Sequence, residues 1–468
     1  MAQKWIEYRA AREKERFEEA KNPGSSWQQL RIEQADIDNG CYSLDLLVNV
    51  GRTIFTHQYR IEDGYGNNLA GRDDQAGTKP RPNARRFQKG AFGGPDASSC
   101  LNCHWKQGLI GSGDRADNSF LFGDGDDVTT HDARNPPMLW GAGWTQLVGE
   151  ELTRDLHAQR QLFLDECVDM QEEEVRRTSL NAQGIFFGHL KVSKRHGQLN
   201  VDTTELEGVD ADLVVKPFGW KGVFPELRDF VMHSLQVHLG MQAEEAVALV
   251  DDGTITDLDL GNQGGDDPDG DGVVRELTEG QITALQLFLA TLDFPVVDVP
   301  EPEDFALRWA EGASLFDGIG CASCHRPFLA VRDATYRAFP HFSGSTVSIS
   351  LDDAARPIPS RDDEELYQVP VFSDFKRHAM GDRLPAQYAE RGVPADTYMT
   401  RRLSAVVQTG PWMHSAAATY DEAIYLHGGE ESEAKGASEA FFSLPTTEKG
   451  ALRIFLDSLR RAPSIRIR

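Results

Sequence analysis

The sequence has no run of about eighteen apolar residues, the length a helix needs to cross a bilayer, so nothing in it reads as a membrane span. Its start, Met1-Ala2-Gln3-Lys4-Trp5, lacks the apolar stretch of an export signal. Basic residues are in deficit: 48 Lys and Arg stand against 74 Asp and Glu in 468 residues, a formal charge of −26. That balance argues against nucleic acid or an anionic membrane as partner. It would steer in a basic protein, or simply keep the chain soluble. The length suffices for about three average domains, or two large ones, with ample core. Cysteine is scarce too: there are six.

Four of those six fall in two units, Cys100-Leu-Asn-Cys103-His104 and Cys321-Ala-Ser-Cys324-His325. In a C-x-x-C-H unit two thiols can close thioether bonds to the vinyl groups of one haem, while the adjacent histidine binds the iron from below. Two units imply two covalent haems. A zinc site would want two further soft ligands near each pair, and a redox dithiol has no need of the histidine. Haem of this kind is attached outside the cytoplasm, so the expected location is the periplasm or another extracytoplasmic space, with the export signal removed. Cys41 and Cys167 then remain as a possible disulfide.

Along the chain, residues 3–20 read as an exposed helix and residues 60–99, crowded with Gly, Asp, Asn and Pro, as irregular loop. His57 lies upstream in an apolar stretch and is either a haem-reaching or a structural histidine. After Arg134-Asn135-Pro136-Pro137 a charged helical region is expected from about Glu150 to Arg177. A second helix is expected near Pro225, with Leu227, Phe230, Val231, Leu235 and His238 at helical spacing. There His238 would share a buried stripe and need a polar partner. Asp267, Asp269 and Asp271, with Gly for the turn and Glu276 downstream, have the alternating carboxylates of a possible calcium loop. Position twelve is Thr278 rather than Glu, so an EF-hand proper is not supported. A helix bearing Ile282, Leu285 and Leu289 follows, and residues 293–303 read as a linker. The second half opens on a helix with Phe305, Trp309 and Phe316 that delivers Cys321. Met380, His414 or His427 could each take the sixth position on the second iron, and periodicity does not choose.

The order of the two units, the Arg-Asn-Pro-Pro stretch after the first, and Thr409-Gly-Pro411-Trp-Met-His414 with Glu422-Ala-Ile-Tyr-Leu-His427 after the second resemble the bacterial di-haem cytochrome c peroxidase superfamily. Phe218-Gly-Trp220-Lys221, His378-Ala-Met380-Gly and Leu426-His-Gly-Gly-Glu430 are most similar to its branch of di-haem oxidoreductases, also called thiol oxidoreductases. The resemblance covers roughly Gly51 to the C-terminus. It implies a mainly α fold of two cytochrome c-like domains with long irregular loops: an N-terminal helical extension over 1–50, a haem domain over 51–292, the linker, and a second haem domain over 304–468. It further implies His427 as distal ligand of the second haem, an interdomain calcium held by Asn135, Thr409 and Pro411, and Trp220 as the relay between haems. Relatives carry a proton-moving glutamate in the distal pocket of the first haem. His238 stands there in this sequence, where it can do the same proton work or cap the iron. Ser415-Ala416 replaces the relatives' aspartate-glycine.

The function expected from these residues is an extracytoplasmic di-haem c-type oxidoreductase that uses peroxide or oxygen to oxidise a protein or small-molecule donor at the first haem. The second haem would be its electron-transfer partner. A non-enzymatic electron carrier with both irons six-coordinate is the main alternative, and a gas or redox sensor the third. No spare C-x-x-C remains for dithiol chemistry.

Overall fold

The computed structural model describes residues 31–60, 63–65, 87–89, 97–105, 112–113, 118–121, 132–251, 273–342, 345–354, 357–386 and 389–461. The expected helix over 3–20 lies outside them, as do Asp267, Asp269 and Asp271 of the expected calcium loop. No helix among the described residues is long and apolar enough to cross a membrane.

The expectation of a mainly α, two-domain cytochrome c-like fold is corrected here: among the described residues helices are interleaved with fifteen strands, which form several sheets of only two or three members. Helical periods are visible in the sequence. Short strands are less so: some pair across long separations and others turn on brief local hairpins. The clearest case is the meander Val175–Ala182, Ile185–Arg195 and Gln198–Asp202. Its two hairpins each turn on a two-residue loop with positive φ at both positions, Gln183-Gly184 (50° and 77°) and His196-Gly197 (53° and 73°). Paired positive φ is the turn that matches strand twist. Leu180, Phe187, Leu190 and Val192 are fully buried on its inner face. The helix expected over 150–177 therefore runs over Ala142–Glu166 instead, and Val175–Arg177 opens the first strand. Gly141 starts that helix at φ 73°, where an added Cβ would lie 2.4 Å from the Phe294 ring. The segment 60–99 likewise contains a strand, Phe87–Lys89, paired in parallel with Ser119–Leu121.

In the first half the helix Leu44–Thr56, capped by the Ser43 hydroxyl, buries Leu46, Val50 and Ile54 against Glu279–Ala290. It runs straight through residue 50, where the sequence suggested a boundary. Thr278, the residue that spoke against an EF-hand, caps Glu279–Ala290 in a capping box with Gln281. The helix Leu227–Leu239 brings in Arg228, whose guanidinium is completely buried. Arg228 bonds Glu245 through two nitrogens and also reaches Thr283 Oγ1 (3.0 Å) and Gln286 Oε1 (3.2 Å). One buried cation thus ties three helices together.

In the second half the helix Glu303–Gly318 packs on Thr446–Asp457, and Gly312 allows the close approach: a Cβ there would sit 2.1 Å from the Ala451 carbonyl oxygen. The expected linker is tied to the far end of the chain, with Val296–Val297 paired to Leu459–Arg460 and Asp293 to Arg461 (2.6 Å). The strands Leu329–Val331 and Tyr367–Val369 bury their side chains in the same core as the first-half helices. The two halves therefore share packing as well as a boundary.

Candidate functional site

Both C-x-x-C-H units adopt one local shape. Gly320, at φ 93°, turns the chain out of its helix, and Cys321–Ser323 form a single tight 3-10 turn with His325 N donating to Cys321 O (2.9 Å). Cys100–Asn102 make the same turn, with His104 N on Cys100 O (2.9 Å) and Ser99 Oγ accepting from Leu101 N. In each unit both thiols and the imidazole leave one turn together. Burial pushes the Cys100 thiol up to about 12 and the Cys321 thiol up to about 11. A redox C-x-x-C needs the opposite, an attacking thiol that ionises easily.

The second unit lines a cavity of about 370 Å³, within the range of cofactor sites. Cys321, Cys324, His325 and His427 all contribute to its wall. His325 shares its Nδ1 with the Phe372 carbonyl (3.1 Å) and His427 its Nδ1 with the Ala423 carbonyl (2.7 Å). Each bond fixes a tautomer and leaves Nε2 as the ligating nitrogen. The ring centres are 6.3 Å apart. Two imidazoles on opposite sides of one metal need about that: a metal–nitrogen bond of about 2 Å on each side plus the half-width of each ring. Burial, helped by the neighbouring imidazole, holds His325 down to about 4, and burial lowers His427 as well, so both rings stay neutral. These residues fit a covalently attached haem with two axial histidines. Of the three candidates for the sixth position, Met380 lines the same cavity and His414 is engaged by Tyr398, while His427 is the one set against His325.

A second grouping escaped the sequence reading. Cys324, Asp374 and His378 bring their ligand atoms within 4.8 Å of one another, a metal-like set. Both nitrogens of His378 are taken by carboxylates, Nε2 by Asp374 (2.9 Å) and Nδ1 by Glu433 (2.7 Å). Burial opposes its charge, yet the hydrogen bonds it makes to Asp374, Cys324 and Glu433 carry His378 up to about 12. Hydrogen-bonded on both ring nitrogens, His378 forms an ion triad with Asp374 and Glu433 behind the second unit.

Around the first unit, His104 lies 6.2 Å from the Phe55 ring, and Ala97 N donates to the His238 carbonyl (3.1 Å). The end of Leu227–Leu239 therefore sits beside the segment that leads into the unit. His238 itself is half-buried, less enclosed than its stripe partners Val231 and Leu235. The sealed imidazole nitrogen on this helix is His233 Nδ1, which has no partner among the described residues. Burial holds His233 down to about 3, and its ring packs 4.9 Å from Phe224. Its spacing of three from Phe230 was the available signal.

A polar and aromatic bridge joins the two halves. Trp220 Nε1 donates to the Asn135 carbonyl (2.9 Å), and its ring stands edge-on to His414 at 6.3 Å. His414 stacks on Tyr398 at 4.7 Å. Asn135 Nδ2 donates to Pro411 O (2.6 Å), Asn135 N to His414 O (2.9 Å), and Ser112 Oγ reaches Thr409 O (3.5 Å). Of the three residues predicted as one calcium site, Asn135 and Pro411 thus meet, while the Thr409 carbonyl is reached from the first half by Ser112. Asn135 Oδ1 is buried without a donor among the described residues. Turning that amide over would set Oδ1 beside the Pro411 carbonyl, and a hard cation is what holds such oxygens together.

The remaining expectations resolve individually. Glu276 of the expected calcium loop is buried and accepts from Gln242 N (2.6 Å). Cys41 and Cys167 are separate free thiols, so the possible disulfide is not formed. His57 binds Asp63 (3.1 Å), the structural alternative. No family model matches the chain, and no curated protein matches it.

Proposed function

We propose that the chain is an extracytoplasmic di-haem c-type oxidoreductase that uses peroxide, or oxygen, to oxidise a protein or small-molecule donor. The observation that carries this is the His325–His427 pair at 6.3 Å in a cavity that Cys321 and Cys324 line. When bound, the two haems supply one-electron iron chemistry and, at an open iron face, cleavage of an O–O bond. Cys100, Cys103 and His104 would hold the first group, and Cys321, Cys324, His325 and His427 the second. A bis-histidine site suits electron storage, because imidazole favours ferric iron more than thioether does and no face is left for substrate.

The first unit is where substrate would react. His238, whose backbone carbonyl accepts from Ala97 N just before that unit, would hold or pass a proton at its imidazole. Trp220 is oriented by its bond to Asn135 and packs toward both halves, the position of a relay for single electrons. Asn135, Thr409 and Pro411 are proposed to hold calcium, which would fix that bridge. The acidic charge of −26 favours a basic redox partner.

Low-temperature EPR of the oxidised holoprotein, after a haem count by pyridine haemochrome, tests the proposal. Two haems with one high-spin and one low-spin ferric signal are expected. Two low-spin signals would instead favour the electron-carrier reading, and a chain exported and matured without haem would overturn both.

A further inference from the structure

The cavity at the second unit contains two positive charges that nothing so far has explained. Arg401 and Arg402 both line it, next to one another in sequence. Arg401 Nη1 donates to the Gly219 carbonyl (3.1 Å) and Arg402 Nη2 to the Trp140 carbonyl (3.0 Å), one bond each from five available N–H groups. Arg402 Nη1 is sealed from solvent with no partner at all among the described residues. Burial holds Arg401 down to about 10 and Arg402 to about 9, the second also because the first is beside it. Arginine does not escape by losing its proton, so two half-buried guanidiniums in one cavity, one with a nitrogen sealed from solvent, call for anions.

The protein does not supply them. Glu433 is the one carboxylate among the residues lining the cavity, and it is committed to His378 (2.7 Å) and to Ala379 N (2.9 Å). Neither arginine has an ion-pair partner among the described residues. A haem brings two carboxylates of its own, at the edge of the macrocycle away from its thioether bonds. Resting on the di-haem reading, we infer that Arg401 and Arg402 bind the propionates of the haem held at Cys321 and Cys324.

That assignment orients the group. Both arginines are anchored on first-half carbonyls, and the Arg401 guanidinium lies 5.1 Å from the centre of the Trp220 ring. The propionate edge therefore faces the first half and the relay tryptophan, with Arg401 touching both. Two fixed cations also oppose the extra positive charge of ferric iron. They raise the reduction potential of a bis-histidine haem and keep the propionates ionised.

The test uses the full-length holoprotein and two measurements. Haem counting comes first: a wild-type protein without two haems fails the di-haem reading, and this inference with it. With two haems present, spectroelectrochemical titration follows the low-spin haem in R401Q, R402Q and the double variant. Its midpoint potential should fall in each, most in the double variant, and should become pH-dependent between about pH 5 and 8 as the released propionates begin to titrate. R401K/R402K, which keeps the charges, should recover most of the potential. A double glutamine variant that loads only one haem while the double lysine variant loads both also supports the assignment. Two haems with an unchanged, pH-independent potential in R401Q/R402Q would overturn it and leave the di-haem reading standing.

Discussion

Around Cys321 the chain builds a site from both sides, while around Cys100 the same local turn meets a different environment. His325 faces His427 across a cavity, and each ring is fixed by a carbonyl. His104 has an aromatic neighbour in Phe55 and, beyond it, the end of a helix whose His238 is half-buried. A metal closed on both faces exchanges electrons; one with a free face can bind substrate. On the di-haem proposal, the attachment motif would fix where a haem hangs, whereas residues a hundred or more positions away would decide what its iron can do.

The largest effect should come from removing the units one at a time. C321S/C324S and C100S/C103S should each halve the pyridine haemochrome signal. The first should also cost more in melting temperature, because the His325–His427 cavity is left without its occupant. An equal count in wild type and variants would break the comparison at its root. Next in size, Arg228→Met strands Glu245 as an unpaired charge in the first-half core. The expected loss is about 3–5 kcal/mol in denaturant unfolding. The low-spin signal of the second unit should persist below that transition, since the triad Asp374–His378–Glu433 and the pair Glu303–Gly318 with Thr446–Asp457 do not involve Arg228.

A smaller and more local change is His427→Met. Thioether in place of imidazole should raise the potential of the second haem and leave the first unmoved. If the potential stays where it was, His427 is not the ligand, and Met380, which lines the same cavity, becomes the next candidate.

Much of this contrast could be read from the sequence, and the reasons it stopped short are physical. The two C-x-x-C-H units and the helix Glu279–Ala290 show because their signals are local: a five-residue spacing, a 3.6-residue period. The choice of His427 over Met380 and His414, and the role of Asn135, came only through resemblance, since nothing in their neighbourhood marks them. The meander over 175–202 could have been found from Gln183-Gly184 and His196-Gly197, two-residue turns between apolar stretches. The sheets of two or three residues per strand could not, because their pairing is decided by partners far along the chain, as for Val296–Val297 with Leu459–Arg460. The ion triad at His378 and the unpaired Arg401 and Arg402 are invisible for the same reason: burial and missing partners are properties of the folded chain. An adjacent Arg-Arg reads as a solvated surface pair until the structure places it inside.

The smallest expected effect concerns the join between the two regions. Asn135 belongs to the first half and bonds Pro411 and His414 of the second, with its Oδ1 left buried and unmatched. If calcium is bound there, chelation should lower the melting temperature of the wild type, by the equivalent of about 2.7 kcal/mol where free calcium had stood at 100 times its Kd. Asn135→Ala should start from a lower melting temperature and respond little to chelator. If instead chelation leaves the wild type unmoved while Asn135→Ala still costs about 1 kcal/mol, the residue is a plain hydrogen bond between halves. The orphaned oxygen would then need another explanation. The first outcome makes the cation part of what holds Trp220 in register, because the same asparagine accepts the tryptophan N–H at its carbonyl. Electron transfer between the two haems, followed by rapid-reaction absorbance after reduction of one, should then slow on chelation without a change in either haem's own spectrum.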